Sequence, residues 1–371
     1  MWIRLAALLA ALLLLAENMS TWWPFLADDA LISLRYSDRL LDGQGLTWTD
    51  GERVEGYSNF LWVLLCAALG AVGMDLIVAS RLLGILAAVG CVVLVARTLW
   101  RGPAVGVLVG SAVTAMSAPL AGWSISGLET ALNAMFILAA IVLLAPAVDR
   151  KDNSIAAVIP AALVLCLACW TRPDAPVMVA TLVAGWWLAN GQNLRALRSA
   201  IVLAFIPAVA TLLHMGFRWL YYGDFVPNTA HAKVHTVDGM RVESGLHYVL
   251  TWVDASSVVL VLALVGFWFS SVGTNNLRRL VIPILPIWAG FIVSLGGDFF
   301  PGWRYLVVLG PIVALLCGSG VGGVLERWPK LSPVVLVALI PLGLVWSGQQ
   351  RDAPLMAQVK YAEWVPEQQA L

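Results

Sequence analysis

Twelve apolar runs alternate with polar connectors along the chain, at about 5–26, 60–73, 76–96, 103–121, 130–147, 155–170, 176–190, 199–220, 253–271, 279–296, 304–322 and 331–347. Most approach the roughly 20 residues that carry a helix across hydrocarbon. None shows the alternate-residue pattern of a barrel strand. The pattern predicts an all-α polytopic membrane protein whose core is the interior of a helix bundle. The run FLWVLLCAALGAVG, 60–73, is the exception: its 14 residues are short for a crossing and suit a helix lying along the membrane surface. In the connector before it, Ala30, Leu31, Leu34, Leu40 and Leu41 are set against Arg35, Asp38 and Arg39 at helical spacing. That is the pattern of an amphipathic surface helix. Asp42-Gly43 and Asp50-Gly51 then signal turns.

Composition agrees. Of 371 residues, 60% are hydrophobic and 12% charged, where a soluble domain carries about 25% charged residues. The net charge of zero gives no reason to invoke nucleic acid. The distribution of charge is more informative than its sum. If 60–73 does not cross, Arg97/Arg101, Arg150/Lys151, Arg195/Arg198, Arg278/Arg279 and Arg327/Lys330 all fall on the side of Arg4. That side then holds 11 Lys/Arg and 3 acids, the other 11 Lys/Arg and 19 acids. By the positive-inside rule this gives eleven spans, a cytoplasmic N-terminus and an outer C-terminus. Residues 1–20 could be read as a signal peptide. No convincing small-x-small cleavage site follows, so the expectation is an uncleaved first helix. Cys166-x-x-Cys169 lies in LVLCLACW and reads as packing rather than a redox or metal pair. Trp22, Trp23, Trp100, Trp123, Trp170, Trp219, Trp252 and Trp303 fall at span ends and read as interface anchors.

The unusual polar residues gather in five outer connectors. The first is 28–59, opened by Asp28-Asp29 and containing Arg35, Glu55 and Tyr57. The second, SISGLET, brings Glu129 to the mouth of a span, and TRPDAP holds Arg172 and Asp174 between helix-stopping prolines. The fourth, 221–245, contains Asn228, His231 and Lys233; the fifth, GGDFFPGWRY, offers Asp298 and Arg304. Any single charge at a span end is ordinarily a snorkelling anchor or ion-pair partner. Acids, however, are not what interface anchoring selects, and five acid-bearing connectors on one face suit glycosyl transfer from a lipid phosphate. A carboxylate would take the acceptor hydroxyl proton, while cations hold the phosphate as it leaves. A divalent ion shared by Asp28 and other acids stays open, although no ligand spacing supports it; no other cofactor is implied.

DDALISLRYSDRLLDGQGLTWTDGERVEGYSNFLW, TRPDAP, GDFVPNTAHAK and GGDFFPGWRYLV together resemble the polytopic GT-C glycosyltransferases, among them the terminal cell-wall arabinofuranosyltransferases. The match runs from about Asp28 to about residue 322. The resemblance implies a GT-C-type bundle of about 11 transmembrane helices with outer-surface helices at 30–41 and 60–73. It also implies a polyprenyl-phosphate sugar donor and transfer, on the outer face of the plasma membrane, to a glycan or lipid acceptor; direct displacement with one base and one phosphate site predicts inversion. The family's acidic motif maps onto Asp28-Asp29, with Asp28 as base and Asp29 orienting substrate or Arg35. Its PNT-x-x-AK pattern appears as Pro227, Asn228, Thr229, Ala232 and Lys233. Its GGD-x-x-P-x-x-R pattern appears as Gly296, Gly297, Asp298, Pro301 and Arg304. Lys233, Arg304, Arg172 and His231 are the expected phosphate ligands. Arg35, Glu55, Tyr57, Glu129, Asp174, Asn228 and Asp298 are expected to bind sugar or acceptor, or to pair with those cations.

Residues 1–350 are thus expected to form one transmembrane catalytic domain, with the first outer loop at 27–75 and an outer tail at 351–371. Arabinofuranosyltransferases usually carry a soluble domain after the last span, so the expectation is a compact relative or a truncated chain. Two other classes compete: a transporter or flippase of a lipid-linked substrate, and a non-catalytic subunit of an envelope-assembly complex. A transporter would place ionisable groups near the bilayer midplane between matching halves. Here His214 is the main polar residue inside a span, and the halves do not match.

Overall fold

The computed structural model describes residues 1–191, 193–228, 239–271, 274 and 277–360. Every regular element among them is a helix. Helix α1 spans Trp2–Thr21, followed by α2 (Asp28–Leu41) and α3 (Phe60–Gly70). Then come α4 (Leu76–Leu99), α5 (Ala104–Met116), α6 (Ala118–Ile125), α7 (Thr130–Arg150), α8 (Ile155–Thr171), α9 (Ala175–Asn190) and α10 (Leu194–Tyr222). The remainder are α11 (Gly239–Ala255), α12 (Ser257–Trp268), α13 (Leu277–Val281), α14 (Ile284–Leu295), α15 (Leu309–Arg327), α16 (Ser332–Asp352) and α17 (Pro354–Lys360). Among the described residues six spans are long and apolar enough to cross a membrane, or up to nine if each bent pair counts as one. The chain is a multi-pass integral membrane protein.

Two runs that read as single spans are broken. Between α5 and α6 the axis turns by 53° at Ser117, and between α11 and α12 by 79° at Ser256. At the first break Pro119 has no N–H to donate. The exposed amides find side chains instead: Ser117 Oγ accepts from the Leu120 amide, and Gln350 Oε1 accepts from the Ala118 amide at 2.8 Å. Satisfying those groups internally is what permits a bend within hydrocarbon.

Helix α15 forms the buried axis of the bundle, with 83% of its apolar window enclosed. Its sequence LLCGSGVGGVL explains the burial: small residues let backbones approach, and close approach drives helix association where lipid supplies no hydrophobic force. A Cβ placed on Gly106 of α5 would stand 2.7 Å from the Gly318 carbonyl oxygen of α15. The same principle corrects the reading of the tryptophans. Trp22, Trp123, Trp252 and Trp303 are buried in the protein rather than anchored at an interface. Three of them are hydrogen-bonded there: Trp22 Nε1 donates to Asn18, Trp123 Nε1 to the Gly302 carbonyl and Trp303 Nε1 to Thr251. Trp23 and Trp219 are exposed.

The basic turns and the polar connectors lie at opposite ends of the helices. Arg97, Arg150 and Arg327 sit in the last turns of α4, α7 and α15. Arg4 reaches across to the same end, where its Nη2 donates to the Gly102 carbonyl at 2.9 Å. Glu129, Arg172, Asp174 and Arg304 belong to turns at the other end, joined by α2 and α3. Arg81 fastens that end, donating to the carbonyls of Ile125, Trp23 and Phe25.

Candidate active site

A cavity of about 400 Å³ opens at the non-basic end, walled by α2, the segment 56–59 before α3 and the turns before α7, α9 and α15, with the C-terminal half of α10 closing one side. Its position follows from one turn. Gly127 takes a φ of +84°, which L side chains rarely adopt. A Cβ there would also meet Ala30 and Leu26 at 2.8 and 2.9 Å. The turn is clamped on both sides, since the Ala27 amide donates to the Ser126 carbonyl and Trp62 Nε1 to the Gly127 carbonyl. Helices α2 and α3 are thereby seated against Leu128 and Glu129.

From that seat runs a buried polar chain. Ser33 Oγ donates to Asn59 Oδ1 at 3.0 Å, and Asn59 Nδ2 donates to Glu129 Oε2 at 2.7 Å. Arg172 Nη1 donates to Glu129 Oε1 at 2.8 Å. The same guanidinium gives Nε and Nη2 to Asp174 at 2.9 and 2.8 Å. Burial works against the Arg172 charge, yet Asp174 and Glu129 hold its pKa well above the ordinary arginine value. Arg304 is placed by the GGD-x-x-P-x-x-R turn: its Nε and Nη2 meet Asp298 at 2.8 and 3.1 Å. The Tyr305 ring lies between the two cations, 5.3 Å from the Arg172 Cζ and 5.5 Å from the Arg304 Cζ.

The third cation is Arg218 of α10, whose Nε contacts the Glu55 carboxylate at 2.9 Å. Burial pushes Glu55 up to about 7, with Arg218 pulling it back. Thr211, His214, Met215 and Arg218 all face the cavity, a spacing that keeps them on one side of the helix. Sequence reasoning misses His214 and Arg218 as site residues, because both lie within a run that reads as apolar. That spacing is the signal that could have found them.

Of the expected residues, Asp29, Tyr57, Glu129, Arg172, Asp174 and Arg304 line the cavity. Glu55 and Asp298 stand behind it as partners of Arg218 and Arg304. Asp28 is not in the wall: its Oδ1 turns back to accept the Asp29 amide at 2.9 Å. Asn228 joins through its backbone, donating to the Glu55 carbonyl at 2.9 Å. Arg35 is exposed and paired with Asp38, away from the wall. Lys233 and His231 lie outside the described residues. No three ligating side chains converge among the described residues. Glu129 and Asp174 are both engaged by Arg172.

No protein-family model matches the chain. Over nearly its whole length the chain superposes on the oligosaccharyltransferase AglB of Archaeoglobus fulgidus. In complex with an inhibitory peptide and a dolichol-phosphate, AglB gives a TM-score of 0.54 at 13% identity, covering 97% of this chain and 55% of that one. In complex with Zn and sulfate it gives 0.55 at 14%, covering 94% and 53%. The fold is that of the GT-C glycosyltransferases. The sequence is related to terminal β-(1→2)-arabinofuranosyltransferases. Identity to the Mycobacterium tuberculosis protein is 31% over 247 residues, 61% of this chain and 37% of that protein. Identity to the Corynebacterium glutamicum protein is 26% over 373 residues, 90% of this chain and 53% of that protein. The chain therefore spans from about a third to about half of the curated relatives it matches.

Proposed function

We propose that this GT-C protein transfers a sugar from a polyprenyl-phosphate donor to a hydroxyl of an envelope glycan or lipid, with the cavity facing away from the cytoplasm. The acceptor oxygen attacks the anomeric carbon as the bond from that carbon to the phosphate oxygen breaks. Its electron pair leaves with the polyprenyl phosphate, and the hydroxyl proton passes to a carboxylate. Direct displacement with one base inverts the anomeric configuration. The observation that carries this reading is an acid-and-arginine cavity at the end opposite the basic turns.

Two acids compete for the base, and the wall favours Asp29. It lines the cavity, while the Asp28 carboxylate turns back to the Asp29 amide. A carboxylate at a helix N-terminus meets the positive end of the dipole, which suits Asp28 to stiffen the turn that presents Asp29. Helices α8 and α9, shorter and apolar, would complete eleven crossings and put the N-terminus in the cytoplasm of a plasma membrane. The deciding experiment gives reconstituted protein a radiolabelled polyprenyl-phosphate sugar and an acceptor hydroxyl. Transfer by the wild type, slowed by about 10²-fold or more in Asp29→Asn, supports the reading. Movement of label across the vesicle without a new glycosidic bond replaces it with transport.

A further inference from the structure

Among the described residues, the cations expected to hold the donor phosphate, Arg172 and Arg304, already face carboxylates. Arg172 places Nε, Nη1 and Nη2 on two carboxylates. Arg304 places Nε and Nη2 on Asp298. With Glu129 and Asp174 on one arginine, that corner is negative overall and a poor seat for a phosphate. The α10 wall differs. Among the described residues Arg218 spends only Nε, on Glu55, which leaves its forked Nη pair to meet a ligand. One turn earlier, His214 lines the same cavity, more than nine-tenths buried, and its Nε2 has no hydrogen-bond partner among the described residues. Leaving a buried polar atom unmet is costly, and such sites in native proteins are commonly completed by a ligand or water. The ring is fixed in place, 4.7 Å from the Phe60 ring centroid and stacked on Phe217.

We infer that the phosphate of the lipid donor is held by Arg218 and His214 on α10, while Arg172 and Arg304 are ion-paired supports of the opposite wall. Arg218 meets two phosphate oxygens through its Nη fork, and the imidazole Nε2 meets a third contact at i−4 on the same face. Asp29 lines the same cavity, and the sugar would lie between its carboxylate and the phosphate. This inference rests on the lipid-phosphate reading above.

The test is calorimetric titration of the full chain in detergent with farnesyl phosphate, farnesol and inorganic phosphate. His214→Phe keeps the ring stack and removes Nε2; Arg218→Lys keeps the charge beside Glu55 and removes the fork. Each is expected to weaken farnesyl phosphate about tenfold or more, with farnesol unchanged and much weaker in every form. Inorganic phosphate, if it binds with the same dependence on His214, supports the assignment to the headgroup. Should His214→Phe fail to fold, His214→Leu replaces it. Unaltered farnesyl phosphate affinity in both variants overturns the inference and leaves the lipid-phosphate reading intact. So does an affinity that falls with Arg304→Lys but in neither α10 variant. Wild-type protein that binds farnesol as tightly as farnesyl phosphate overturns both.

Discussion

Arg218 Nε stands 2.9 Å from the carboxylate of Glu55, 163 residues earlier in the chain, and both side chains are buried. Burial raises Glu55 to about 7 against the pull of Arg218, with Asp224 adding to the rise. Above that pH the pair is neutral overall. As pH falls through it, Glu55 takes up a proton and leaves a net positive charge on the α10 wall. Affinity for a lipid phosphodiester, whose charge is fixed, is therefore expected to rise several-fold from pH 8 to pH 6. Glu55→Gln should bind at pH 8 about as the wild type does at pH 6 and should flatten the profile. A pH dependence that survives Glu55→Gln would assign the titration elsewhere.

The two aspartates at the start of α2 separate by role. Asp29→Asn is expected to slow transfer by about 10²–10⁴-fold, the range ascribed to general base catalysis. Asp28→Asn loses a charge at the helix N-terminus, worth about 0.3–1 kcal/mol, and should retain most activity. Initial rates with a saturating donor compare them. A larger loss with Asp28→Asn returns the base to that residue.

Glu129 accepts on both oxygens, from Asn59 and from Arg172. In Glu129→Gln one amide N–H must face another donor, and about 1–3 kcal/mol of stability should be lost. Asn59→Asp in that background supplies an acceptor where the amide now points and restores the local charge. Thermal unfolding in detergent should show the double variant recovering part of the loss, a coupling that two independent sites would not give.

Gly127→Ala adds a Cβ at φ +84°, facing Ala30 and Leu26 below 3 Å. A penalty of about 1–3 kcal/mol is expected. Because Ala30 adjoins Asp29, transfer should fall with stability. Full activity in a folded variant would show that α2 moves freely of this turn.

Legibility in the sequence is uneven for physical reasons. The α2 periodicity places the amphipathic helix close to its observed bounds, Asp28–Leu41, since polar and apolar faces alternate cleanly there. Asp298 and Arg304 sit in a turn marked by its Gly and Pro residues, and they pair in the structure. Arg218 is hidden because apolar neighbours dominate any window around it, and His214, visible as the main polar residue of its span, gives no sign in the sequence that it faces the cavity. The breaks at Ser117 and Ser256 are also hidden, since hydropathy does not report direction. At Ser117 the decisive partner, Gln350, lies 232 residues from Ala118. The tryptophans show the limit from the other side: amphipathic character is the same whether the ring meets lipid headgroups or a buried carbonyl.

The three-way clasp of Arg172 on Glu129 and Asp174 has a mechanical corollary. Prising α7 from the α8–α9 turn would strand unlike charges in a dry setting, at several kcal/mol each. That side of the chamber is a fixed jamb. On the α10 side the ties to the 28–59 segment are one ion pair and the neutral hydroxyls of Tyr221 and Tyr222 at Leu46, so widening for a bulky sugar meets less resistance there, and incoming cargo and the give in the architecture meet on the same helix.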